Sequence, residues 1–441
     1  MKSLTILATP INAVGHVNAV SGALKPLLAR GHRVIFVMEE AFEGKLSLLG
    51  FEEEIFRMEK DKDVKNPGEA IGKLIYNNKM MGDFSVWEKF ENLLIMFHGD
   101  ENHEQFRAMD VAIKEAIKKY SPDAIYFDGV FLYPTIHYSG IPWILNYSTT
   151  PITYEFDETN EIPPGCSGFP SNGNRDKFDE FNKLRRKLFF SSKANDLIER
   201  LGYKRYPDDN ILINSNILTV YGYPNEINYP YFEKKNWFNL EVFNKRPPKL
   251  EDSLNHFIPD EFFNSTLNGK WSGKWIYLSM GSMGSFDLEL MSRLIDSLKN
   301  TPHKYIVSKG PRHNEYSLPE NMYGDRYLPQ TSIIPFVDLV ISHGGNNTVT
   351  EVFAVGKPLI ILPLFGDQFD NAQRLHETGY GIRLEPYKFT SEQLVTAIDK
   401  LLYDQTMNDK LKKASERIQN ENQHEMLADK IEELLLVQTN A

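Results

Sequence analysis

"SHGGNNTVTE" (Ser342–Glu351) follows the apolar run Asp338–Ser342. Together they read as a buried strand that ends at a histidine, turns on two glycines and starts a helix. Strand, tight turn and helix in that order form the unit of a parallel α/β sheet, where ligands sit at the carboxyl ends of strands. A helix beginning near Thr348 would direct free N–H groups and roughly half a positive charge at whatever lies before it. Gly344 and Gly345 allow close backbone approach, and Asn347 and Thr348 offer short donors to phosphate oxygens. Thr348-x-x-Glu351 also spells a capping box, which needs no ligand.

Outward from this stretch the same alternation recurs. Leu4–Thr9 and Arg33–Met38 are strand-like around a helical "GHVNAVSGALKPLLARG" that stops at Gly31. Ala124–Phe127 and Trp143–Tyr147 extend this first set, with a helical Asn102–Tyr120 before them. From about residue 225 to 274 the pattern dissolves into Pro, Asn, aromatics and charges, including "NKRPPKLED", as an interdomain connection would. It then restarts with Trp275–Ser279, Tyr305–Ser308, Asp338–Ser342, Leu359–Pro363 and Gly381–Leu384. Two α/β domains are expected, since 441 residues exceed what one core usually serves.

Composition narrows the partners. The 49 basic and 60 acidic side chains leave a formal charge of −11, which excludes a broad nucleic-acid surface. Any bound anion must be held locally. The lone Cys166 fits a reducing compartment, the N-terminus reads as a first strand and no signal peptide, and no apolar run is long enough to cross a membrane. A cytoplasmic, monomeric protein without membrane contact is the expectation.

Three separated blocks resemble the donor-binding signature of the UDP-glycosyltransferase family: "YLPQ" (Tyr327–Gln330), "HGGNNTVTE" (His343–Glu351) and "GKPLIILPLFGDQFDNAQRL" (Gly356–Leu375). The resemblance implies the α/β GT-B fold, two Rossmann-like parallel-sheet domains facing each other across a cleft. Its implied division is an acceptor domain at 1–235, a linker at 236–272, a UDP-sugar domain at 273–422 and a terminal helix at 423–441 that packs back on the first domain. It implies that Tyr327 stacks on uracil, with Gln330 beside the base through its backbone. His343, Gly345, Asn347 and Thr348 would meet the diphosphate, Glu351 the ribose hydroxyls, and Asp367 with Gln368 the sugar. "SMGSMGS" (Ser279–Ser285) resembles the family's Ser/Gly loop, with Ser282 as its contact. The family often has Trp where this chain has Tyr327, and its plant members have Trp where this one has Asn346.

"PINAVGHVNAV" puts His16 at the first turn of a helix, where the dipole disfavours an imidazolium and keeps the ring neutral. Asp128 in "DAIYFDGVF" ends a strand of the same sheet. By the resemblance the two form the family's dyad, His16 taking the acceptor proton and Asp128 orienting it. The implied reaction is an inverting, metal-independent transfer of a hexosyl group from UDP-sugar, with UDP-glucose favoured, to a hydroxyl of a small lipophilic acceptor such as a phenol, flavonoid or xenobiotic. Met80, Met81, Phe84, Trp87, Phe90 and Tyr147 are candidates for the acceptor pocket, although Met and aromatics at helical spacing serve cores as readily. A non-catalytic carrier, or a sugar-nucleotide epimerase or hydrolase on the same fold, are the alternatives. His103, His376 and His424 each begin H-E-x-x without the closing His of a zinc site, and Asp61-x-Asp63 reads as a solvated loop.

Overall fold

The computed structural model describes residues 3–58, 67–215, 217–245, 253–265 and 271–438. Asp61 and Asp63 lie outside them.

The first sheet has seven strands: β1 (Thr5–Thr9), β2 (Arg33–Glu39), β3 (Glu52–Phe56), β4 (Ala124–Asp128), β5 (Trp143–Tyr147), β6 (Thr219–Tyr221) and β7 (Trp237–Asn239), in the order β3-β2-β1-β4-β5-β6-β7. The second has six: β8 (Trp275–Ser279), β9 (Lys304–Ser308), β10 (Met322–Asp325), β11 (Leu339–Ser342), β12 (Leu359–Ile361) and β13 (Gly381–Arg383), in the order β10-β9-β8-β11-β12-β13. Every pairing is parallel. In both sheets the strand order reverses beside the first strand of the unit, opening a crevice at the carboxyl ends of β1 and β4 and of β8 and β11. The two Rossmann-like sheets of the GT-B fold are thus both present.

Period-2 alternation builds two cores on the first sheet. Leu7, Ile35, Ile125 and Phe127 face one apolar cluster, while Ile6, Ala8, Val34, Phe36 and Tyr126 face another. Strands buried on both faces read as continuous apolar runs, which is why they stand out in the sequence. The second cluster is completed by Leu427, Ala428, Ile431 and Leu435 of the Gln423–Gln438 helix, so the chain's last helix packs on its first domain.

Two features depart from the sequence reading. β7 lies inside the stretch assigned to the linker at 236–272, and it extends the first sheet past residue 235. The helix after β11 begins at Asn346, two residues before Thr348.

The chain crosses between the domains twice, and the crossings touch. Lys245 Nζ on the outgoing segment donates to the Glu421 carbonyl on the returning one at 2.8 Å. His424 Nε2 lies 2.9 Å from the Phe243 carbonyl. Nearby, Arg417 makes charge-assisted bonds to Glu241 and Glu226, joining the Gln405–Asn420 helix to the first domain.

Candidate active site

His16 is the third residue of the Val14–Ala29 helix, which starts directly beyond β1. Its Nδ1 lies 2.8 Å from Asp128 Oδ2, at the end of β4 beside β1. The other carboxylate oxygen is fully engaged: Asp128 Oδ1 accepts from Asn146 Nδ2 (3.0 Å), the Ser148 N–H (3.1 Å) and Ser148 Oγ (2.7 Å). Those bonds fix the carboxylate, which in turn fixes the tautomer with Nδ1–H toward Asp128 and a lone pair on Nε2. Burial alone would lower the His16 pKa, but the Asp128 charge and hydrogen bond, with help from Asp367, raise it above the ordinary imidazole value. The helix N-terminus, expected to favour the neutral ring, is outweighed by these carboxylates. The result is a stronger base.

Across the cleft, Gly345 is the N-cap of the Asn346–Ala354 helix and makes no side-chain cap, while the Asn346 N–H bonds to the Asp367 carboxylate, so part of the helix's leading turn is already engaged. Thr348 is the third helical residue and Glu351 pairs elsewhere, so the capping-box reading does not hold. The His343 ring sits between two glycines, and a Cβ at Gly281 or Gly345 would come within 2.7 Å of it. Burial holds its pKa down near 4, so the ring is neutral. Gly344 turns the chain at φ 85°.

Glu351 is half-buried beside Gln330, whose Nε2 donates to Glu351 Oε2 (2.8 Å) and Thr348 Oγ1 (3.2 Å). Burial pushes the Glu351 carboxyl up to about 7, with Gln330 opposing. A carboxylate with so few donors gains most from a ligand presenting two adjacent hydroxyls. Tyr327 is 44% exposed, with the Arg326 guanidinium 5.4 Å from its ring centroid. Ser282 lies in the short Gly281–Gly284 helix after β8, partly exposed.

Asn347 differs from its assigned role. Its Nδ2 donates to the Gly15 carbonyl at 2.7 Å, beside His16, and its buried Oδ1 has no partner. One of its two amide hydrogens is thus spent on the first domain. The side-chain oxygens of Asn346 and Asn371 are likewise buried without partners, and all three suit hydroxyl groups, not phosphate oxygens. Asn346, unassigned from the sequence, clamps the domains: its Nδ2 donates to the Ser148 (3.1 Å) and Gly222 (3.0 Å) carbonyls.

Asp367 precedes the Gln368–Thr378 helix and interacts electrostatically with His16 across the cleft. Burial raises its carboxyl to about 6, with His16 and nearby backbone N–H groups opposing. Gln368 Oε1 accepts from the Leu364 (2.9 Å) and Phe365 (3.3 Å) N–H groups, so its carbonyl is committed to the loop.

Beside His16 opens a cavity of about 810 Å³ walled by Leu93, Met96, Phe97, Phe131, Leu132 and Phe365 among others. Its size and apolar wall suit a drug-sized ligand. Met80 lines it, but the other acceptor candidates do not. Met81 and Phe84 line a smaller depression near Tyr387. Trp87 and Phe90 pack edge-on against Phe181, at 4.8 and 5.4 Å between centroids. Tyr147 is buried against Tyr154 and Trp237, its hydroxyl bonded to Asn214. Among the described residues no group of three or more His, Cys, Asp or Glu is placed to hold a metal ion, and no helix is long and apolar enough to cross a membrane.

Comparisons with known proteins fit this arrangement. Residues 297–431 match the glycosyltransferase family 28 C-terminal domain. A sterol 3-beta-glucosyltransferase of Debaryomyces hansenii is 32% identical over 161 residues, which is 34% of this chain and 10% of that protein. The chain thus aligns with only a tenth of that relative's length. The NDP-glycosyltransferase YjiC of Bacillus subtilis is 24% identical over 98% of this chain and 97% of its own. Among solved structures, the glycotransferase of kitacinnamycin superposes with a TM-score of 0.70 at 16% identity, covering 99% of this chain and 100% of that one.

Proposed function

We propose that this chain is a UDP-glycosyltransferase that transfers a hexosyl group, with glucose favoured, from a UDP-sugar to a hydroxyl of a small lipophilic acceptor, inverting the anomeric centre, a reading supported by the glycosyltransferase family 28 match and the full-length likeness to an NDP-glycosyltransferase. The observation that carries this reading is the placement of His16 Nε2. The ring is held by Asp128, borders the apolar cavity and faces Asp367 of the other domain.

The acceptor occupies the cavity with its hydroxyl at His16. As the hydroxyl oxygen bonds to the anomeric carbon, its proton passes to Nε2 and the bond to the diphosphate breaks. UDP departs with the electron pair. Asp128 stabilises the imidazolium that forms, a contribution of roughly 10² to 10⁴ in rate for general-base catalysis. The positive end of the Asn346–Ala354 helix stabilises the charge on the leaving diphosphate. Asp367 and the acceptor oxygens of Asn346 and Asn371 are suited to sugar hydroxyls, and Glu351 to the ribose pair. The sterol relative supports a ring-fused alcohol among acceptors to try first.

The test is to incubate the protein with several UDP-sugars and a panel of lipophilic alcohols, measuring UDP release and conjugate mass. Acceptor-dependent UDP release with a product heavier by one hexosyl group is expected. UDP release that ignores the acceptor would point to a hydrolase or epimerase, and binding without release to a carrier.

A further inference from the structure

The Val86–Phe97 helix of the first domain does two things. Its later turns supply Leu93, Met96 and Phe97 to the cavity wall. Its first turns send Lys89 across the cleft, where the side chain is buried, 4% exposed, and Nζ donates to the Leu364 carbonyl at 2.7 Å. The ammonium lies over the rings of Phe369 (5.5 Å) and Tyr387 (5.4 Å) of the second domain. Leu364 is held at its other end too, since its N–H donates to Gln368 Oε1 at 2.9 Å. One residue from each domain therefore fixes a single loop residue. That loop continues into Phe365, which lines the acceptor cavity, and Asp367, which faces His16.

We propose that Lys89 is a positioning residue: it pins the loop that presents Asp367 to the donor sugar, and links that loop to the helix that walls the acceptor cavity. Burying an ammonium is costly unless polar partners recover it, and here a carbonyl and two ring faces of the opposite domain touch it while the carboxylates of Glu385, Asp83 and Asp287 favour its charge. Loss of the charge releases Leu364 from the first domain while leaving the nucleotide-binding turn at Ser342–Glu351 untouched. An acceptor pressed against Met96 and Phe97 bears on the same helix, so filling the cavity tightens the donor loop.

The inference rests on the glycosyltransferase reading, and its test separates the two. UDP and UDP-glucose binding are measured by calorimetry for the unaltered chain and for Lys89→Met, with thermal melts alongside. UDP lacks the sugar that Asp367 would hold, so its affinity is expected to stay unchanged, while UDP-glucose binding weakens roughly tenfold. Lys89→Gln, too short to reach the Leu364 carbonyl, is run in parallel and gives the same discrimination should the Met variant fail to fold. UDP-glucose affinity altered by less than about twofold, or equal weakening of UDP and UDP-glucose, would overturn the role given to Lys89. An unaltered chain that binds neither ligand would instead overturn the reading beneath it.

Discussion

Replacing Asp128 by Asn probes the reaction at one atom. In the native arrangement Oδ1 takes three donors, from Asn146 and Ser148, and Oδ2 takes His16 Nδ1–H. The asparagine keeps its oxygen toward the three donors, because turning its NH₂ there would leave them facing another donor. Its NH₂ then points at His16 Nδ1. The ring must present a lone pair at Nδ1 and carry its proton on Nε2, so the nitrogen at the cavity can no longer take a proton. The same tautomer error costs about 10⁴ in a Ser-His-Asp triad. General-base catalysis of transfer contributes roughly 10² to 10⁴, so kcat should fall by about 10³ to 10⁴, or about 4 to 5.5 kcal/mol of barrier. On the proposed reading, in which the other domain holds the donor, UDP-glucose affinity should not change. The pH profile supplies a second reading. The base is the neutral ring, so the native rate should climb with pH through a midpoint above the ordinary imidazole value, and the variant's midpoint should drop as the carboxylate charge is lost. The assay is initial-rate UDP release with conjugate detection, plus calorimetry with UDP-glucose. Asp128→Asn that keeps more than about a tenth of native kcat would refute the assigned roles of both residues.

Glu351→Gln should weaken UDP-sugar binding, and calorimetry across pH should show that only the native chain gains donor affinity as its carboxyl ionises around 7. The same variant should melt higher than the native chain at pH 8 and no differently at pH 4. A carboxyl whose folded value is raised loses stability for the fold as pH climbs from the unfolded range toward about 7, and Gln removes that loss. Gly345→Ala places a Cβ within 2.7 Å of the His343 ring, so donor affinity should drop about tenfold or more by titration with UDP. Met96→Trp fills part of the apolar cavity and should raise KM for a ring-fused acceptor several-fold, with calorimetry finding UDP-glucose affinity unaltered.

The strands that carry the site were legible because burial on both faces leaves no polar position to interrupt them. β3 was not, since it is an edge strand written with three glutamates. Glu52 pairs with Arg33, Glu53 accepts from the Gly44, Leu46 and Ser47 N–H groups, and Glu54 pairs with Lys119. β6 and β7 are three residues each, too short for periodicity to register. The positions of His16, Asp128 and the glycine turn followed from strand ends, which topology brings together. The acceptor wall did not follow. Trp87 and Phe90 share a helix with Met96 and Phe97, yet the first two face Phe181 and the others the cavity, a distinction set by tertiary packing and not by spacing. Asn346 and Lys89 were also missed, because a side chain that bonds across a domain boundary has no partner within its own stretch of sequence.

The paired passages of the backbone between the lobes, tied by Lys245 to Glu421 and by His424 to Phe243, make one narrow seam, and Lys89 and Asn346 bridge the same lobes farther off. A small turn there becomes a large displacement at the rim farthest away, and sideways slippage is resisted because two strands of chain would have to shear together. A swing about that seam would also have to break the cross-cleft bonds of Lys89 and Asn346, and the span between the imidazole of His16 and the carboxylate of Asp367 is its natural gauge. Fluorophores placed on either rim would read that swing directly.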